Sequence, residues 1–151
     1  MSAKGRITSK GALLEVRLGN PPPWQDMLER EAGGAAAPQP VAGLAVVDTG
    51  AATTMVDPMV ADALRAMIAP AFRVQGMQPG EQAWAPQGPG FVDARQVRVT
   101  VVGLRPFTVT AGLHPLRPIF GSKVVALIGR DILDCTRMVY DGPARVSPLD
   151  G

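Results

Sequence analysis

Apolar and polar positions alternate along much of this chain in short runs of period two, the spacing of half-buried β-strands. "ALLEVRLGN", Ala12 to Asn20, predicts a first strand, and "GLAVV", from Gly43, predicts a buried one. "DPMVADALRAMIAP" breaks the pattern. Met59, Val60, Ala63, Leu64 and Met67 recur at helical spacing, which predicts a helix over Pro58 to Ile68, with Asp57 as N-cap, Pro58 in the first turn and Pro70 as the stop. "FRVQGMQPGEQAWAPQGPGFVDARQVRVTVVG" then reads as a strand, a Gly/Pro-rich tip and a long strand. "PFTVTAGL" adds another strand, and "KVVALIGRDIL" a strand running into a short helix. "TRMVYDGPARVSPL" reads as a closing hairpin turning at Asp141-Gly142-Pro143.

Between the first two strands lies "PPPWQDMLEREAGGAAAPQP". Its middle, Trp24 to Glu31, predicts one short helix, and Gly33 to Pro40 a flexible loop. The whole stretch, 21–40, is read as an insertion within one domain of residues 1–151, with no internal repeat. The expected class is mostly β with few short helices.

Composition narrows the function classes. A hydrophobic fraction of 46% and a charged fraction of 19% describe a globular protein with a sizeable core. Fifteen Pro and seventeen Gly fit many turns. A net charge of +2 without a basic stripe argues against nucleic acid as partner. No apolar run reaches the ~18 residues of a membrane span, which argues against a membrane protein. The basic N-terminus has no apolar core of signal-peptide length, so the expected compartment is the cytoplasm. Cys135 is the only cysteine, which leaves no internal disulfide and no cysteine-based metal site.

The chemistry concentrates where "GLAVVDTGAATTMVD" turns from apolar to polar. Asp48 ends a strand that should be buried, although Asp is depleted in strands and is rarely buried without a partner. Gly50 allows another main chain to approach, Thr49 offers a hydroxyl, Ala51 and Ala52 keep the floor narrow, and Thr53 and Thr54 can hold the returning chain. A bare Asp-Thr-Gly also suits an Asx-type turn that merely caps a strand end.

The second feature lies downstream, where the apolar strand of "ALIGRDIL", Ala126 to Leu133, meets Gly-Arg at a helix start. The ordered pair "VVDTGAATT" and "ALIGRDIL" resembles the retropepsin-like aspartic proteases, the single-domain class that includes the retroviral enzymes, over roughly Val41 to Tyr140. The resemblance implies a closed β barrel or sandwich with one or two short helices, assembled as a C2 homodimer. It implies an aspartic endopeptidase that cleaves peptide or protein substrates and needs no cofactor and no metal. Asp48 would be catalytic. With one such motif per chain, its partner would be the Asp48 of a second chain. Thr49, Gly50 and Ala51 would form the supporting loop, and Thr54, Gly129 and Arg130 its structural support.

A flap would lie within Phe72 to Arg98, with its tip in "QGMQPGEQAWAPQGPG". Trp84, with Gln82 and Ala83, would cover substrate there, or Trp84 would be a partly buried loop aromatic. In retroviral members an acid two residues after the glycine often pairs with the arginine. That position is Ala52, which leaves Asp57, Asp131 or a C-terminal carboxylate to meet Arg130. The alternative to the enzyme is a catalytically weak, dimerising peptide-binding module of the same fold.

Other residues read as structural. His114, the lone histidine, falls between turn signals and is expected in a solvated loop. Cys135 is expected to pack as a small hydrophobe, and the seven Met residues to fill the core. Ser122 and Lys123 lack the glycine spacing of a phosphate loop.

Overall fold

The computed structural model describes residues 2–33, 35–74 and 91–139, and the backbone of 146–150. In chain order the elements are β1 (Ser2–Thr8), β2 (Gly11–Gly19), α1 (Pro22–Ala32), β3 (Val41–Val47), β4 (Met55–Val56), α2 (Pro58–Ala63) and β5 (Met67–Arg73). They continue as β6 (Phe91–Val101), β7 (Phe107–Leu113), α3 (Arg117–Phe120), β8 (Val124–Ile128), α4 (Arg130–Leu133), β9 (Arg137–Met138) and β10 (Val146–Asp150).

Six strands close on themselves in the order β6-β7-β4-β8-β3-β2, and β2 pairs back onto β6. Closure runs from Val16 opposite Val101 to Gly19 opposite Arg98. It abolishes the open edge that a flat sheet of these strands would present. Alternation drives it. In β2 the side chains of Ala12, Leu14, Val16 and Leu18 are buried, and Val97, Val99 and Val101 of β6 share one core with Leu14, Val16 and Leu18. Each fully buried Leu or Val stabilises the fold by about 1.5–3 kcal/mol relative to exposure. β3 is buried on both faces. Ala45 faces the main core, while Val46 joins a second cluster with Leu116 and Val124. Such a strand reads as a continuous apolar run rather than an alternation.

Several expectations are corrected. The helix predicted to Ile68 ends at Ala63, because Arg65 adopts a left-handed conformation (φ 49°) and Met67 already begins β5. Pro70 therefore lies inside a strand, beside a register shift between Ala69 and Phe72, and stops no helix. The buried face of α2 carries Val60 and Ala61, with Leu64 at its C-cap, whereas Ala63 is exposed and Met59 is 66% exposed, so Met59 does not fill the core. Asp57 does cap the helix, accepting from the Met59 N–H at 3.1 Å. A further strand, β1, precedes the expected first one, and α3 was not anticipated. The turn proposed at Asp141-Gly142-Pro143 lies outside the described residues, although β9 and β10 on either side of it pair antiparallel.

Candidate active site

β3 and β8 are parallel neighbours, so their C-terminal ends emerge side by side. The last register pair is Val47 opposite Ile128, and the Asp48 N–H donates to the Ile128 carbonyl at 3.0 Å. The two sequence motifs thus meet at one end of the barrel, where each strand gives way to a polar turn.

From there the Asp48 loop is fixed at both ends. The Gly50 N–H donates to Asp48 Oδ1 at 2.9 Å, and the Ala51 N–H to the Asp48 carbonyl at 3.3 Å. The side chain of Asp48 thereby folds over its own turn, half-buried, with Thr49 and Gly50 exposed beside it. Among the described residues, no donor meets the other carboxylate oxygen. The carbonyls of Ala51 and Ala52 accept from the Arg130 and Asp131 N–H groups at 2.8 and 3.2 Å. Those are the first N–H groups of α4, which have no partner within their own helix, so loop and helix satisfy each other.

A buried clasp completes the support. Thr54 has no exposed surface. Its hydroxyl donates to Asp131 Oδ1 at 2.7 Å and accepts from the Gly129 N–H at 3.2 Å, while its own N–H donates to Asp131 Oδ2 at 3.0 Å. Asp131 also accepts from the Ile132 N–H at 3.0 Å. Gly129 is required here by closeness. A Cβ on it would lie 2.5 Å from the carbonyl carbon of Thr53 and 2.9 Å from the Thr54 nitrogen.

Asp48, Thr49, Gly50, Ala51, Thr54, Gly129 and Arg130 are therefore brought together. The structure adds Asp131, which the sequence offered only as a partner for Arg130. Neither named acid that can be checked serves Arg130: Asp131 is bound by Thr54, and Asp57 accepts from the N–H groups of Met59, Leu116 and Arg117. The Arg130 side chain is exposed in a groove of about 440 Å³ lined by Gly50, Ala51, Ala52, Thr53, Met55 and Arg73 among others. Cys135 is exposed rather than packed, its thiol 3.8 Å from the Asp131 carbonyl. His114 is half-buried after β7, with Nδ1 3.0 Å from the Pro115 carbonyl.

No family model and no curated protein matches the sequence. Among solved structures, a retropepsin-like aspartic protease from Rickettsia conorii superposes with a TM-score of 0.53 at 12% identity, over 99% of this chain and 90% of that one. The fold is retropepsin-like. An EIAV protease bound to an inhibitor covers 62% of this chain and 76% of its own at 19% identity, but its TM-score of 0.37 is too low to bear on the fold.

β5 and β6, on either side of the segment where the flap tip is expected, pair antiparallel up to Arg73 opposite Phe91. The flap tip itself, with Gln82, Ala83 and Trp84, lies outside the described residues. Asp131 could have been found from sequence by one signal, an acid directly after the Gly-Arg pair at a helix start. Among the described residues no helix is long and apolar enough to cross a membrane.

Proposed function

We propose that this protein is an aspartic endopeptidase whose active centre is a pair of Asp48 residues, one from each chain of a C2 homodimer. The observation that carries the reading is the half-buried Asp48, held by the Gly50 N–H at the end of β3 in a retropepsin-like barrel. A half-buried carboxylate on a fixed corner, beside exposed Thr49 and Gly50, can be brought against its symmetry mate. Two carboxylates about a water apart share one proton, because both cannot ionise so close together. One then takes a proton from the attacking water while the other, protonated, polarises the scissile carbonyl.

Thr49 and Gly50, exposed beside Asp48, would face the partner loop and the substrate backbone. The Thr54–Asp131–Gly129 clasp would hold the corner rigid, so that little reorganisation accompanies the reaction.

A peptide carrying a tetrahedral hydroxyl in place of the scissile carbonyl imitates the hydrated intermediate and should bind far more tightly than the parent peptide. Active-site titration with it should reach an end point at one inhibitor per two chains. An end point of one per chain would refute the shared centre, and affinity no better than that of the parent peptide would refute aspartic catalysis.

A further inference from the structure

The groove beside the Asp48 loop has a composition that proteolysis alone does not explain. Its described lining includes two arginines, Arg73 at the end of β5 and Arg130 at the start of α4, and no carboxylate. Both side chains are exposed. The rest of the lining is small or apolar: Gly50, Ala51, Ala52, Thr53, Met55, Phe72 and Val74.

Asp131 and Asp57, two of the acids that the sequence offered to Arg130, are committed elsewhere. Asp131, adjacent to Arg130, spends both oxygens on Thr54 and Ile132. Asp57 spends both of its own on three backbone N–H groups. Asp134, one turn along from Arg130, forms no ion pair with it. The one ion pair among the described residues joins Arg65 to Glu31 in another part of the molecule. Ala52 and Thr53, which line the groove with Arg130, have no charge to offer.

We infer that Arg73 and Arg130 form an anion-accepting subsite that selects peptides with an Asp or Glu side chain near the scissile bond. The inference rests on the proposed peptide-cleaving role of the Asp48 corner, since Gly50 and Ala51 form the groove wall next to it. A guanidinium pair suits the purpose, because each arginine presents planar, paired donors to a carboxylate. The small residues between them leave room for the side chain to enter. Exposure limits the effect to a few-fold, because water and salt screen both cations.

The test separates the subsite from the chemistry. Binding is measured by fluorescence anisotropy on the full-length Asp48→Asn protein, which cannot turn substrate over. The probes are labelled peptides that differ only by Asp or Glu against Asn or Gln at each position flanking the central bond. At one position the acidic peptide should bind about fivefold tighter than its amide counterpart, with the margin shrinking at high salt. The margin should fall below twofold in an Arg73→Gln/Arg130→Gln variant and be kept only in part in Arg73→Lys/Arg130→Lys, which retains the charge but not the planar donors. Equal affinities at every position, a margin that survives the double Gln variant, or no binding of either peptide would each overturn the subsite. Cleavage of the preferred peptide by the wild type is scored separately. Acid selection without any cleavage would sink the protease and leave the subsite standing.

Discussion

Two aspartates end two successive strands of the chain, and their surroundings differ. Asp57, after β4, is 3% exposed and gives both carboxylate oxygens to backbone donors: Met59 on one, Leu116 and Arg117 on the other. It ties the start of α2 to the start of α3. Asp48, after β3, is half-buried, and among the described residues one N–H, from Gly50, meets its carboxylate. A carboxylate with both oxygens held by fixed backbone donors is a structural bracket. One left with an unclaimed oxygen at an exposed corner is free to act on something else. The same residue type is therefore architecture at one corner and, on our proposal, chemistry at the other.

Exchanging the two losses breaks or confirms that contrast. Asp48→Asn should lower kcat by about a thousandfold or more, since the amide can neither share the proton nor act as base, while thermal unfolding stays within about a degree of wild type. Peptidase activity within tenfold of wild type would remove Asp48 from the chemistry. Asp57→Ala should do the reverse. Three backbone N–H groups lose their acceptor, at a cost of about 3 kcal/mol, which corresponds to roughly 10 °C in Tm for a chain of this size. Activity per folded molecule should hold. A Tm unchanged by Asp57→Ala would mean that the bracket is dispensable.

Thr54→Val sharpens the contrast from the side of the clasp. The shape is kept, but the Gly129 N–H loses its acceptor and Asp131 loses a donor. Stability should fall by about 2 kcal/mol, and kcat by about tenfold as the corner loosens. A variant that melts lower with kcat unchanged would show that the clasp supports the fold and not the geometry of Asp48.

Local patterns were readable and long-range ones were not. β2, the run into Asp48 and the strand-to-helix step at Gly129 could be seen in sequence, because each depends on neighbours within a few residues. The Thr54–Asp131 clasp spans 77 residues and joins two common polar side chains, so no spacing rule announces it. β1 escaped notice because its inward positions include Ala3 and Gly5, too small to mark an apolar face. Gly5 is small for a reason visible only in the fold: a Cβ there would collide with the Leu13 carbonyl oxygen. The sequence does not mark the end of α2, because the apolar spacing continues into Met67 while the backbone has already turned left-handed at Arg65. For Arg130, sequence correctly posed the problem of a missing acid at position 52, but only the structure shows that Asp57 and Asp131 are both engaged elsewhere.

The central claim is that one active centre needs an Asp48 from each of two chains, and subunit mixing tests it most directly. Wild-type and Asp48→Asn chains, tagged so that exchange can be verified, are combined at constant total protein and allowed to equilibrate. Peptidase activity is then read against the wild-type fraction f. If a mixed dimer is inactive, activity follows f squared, so an equal mixture retains about a quarter of the wild-type rate. A straight line in f, with exchange demonstrated, would mean that each chain works alone and would contradict the paired-aspartate account.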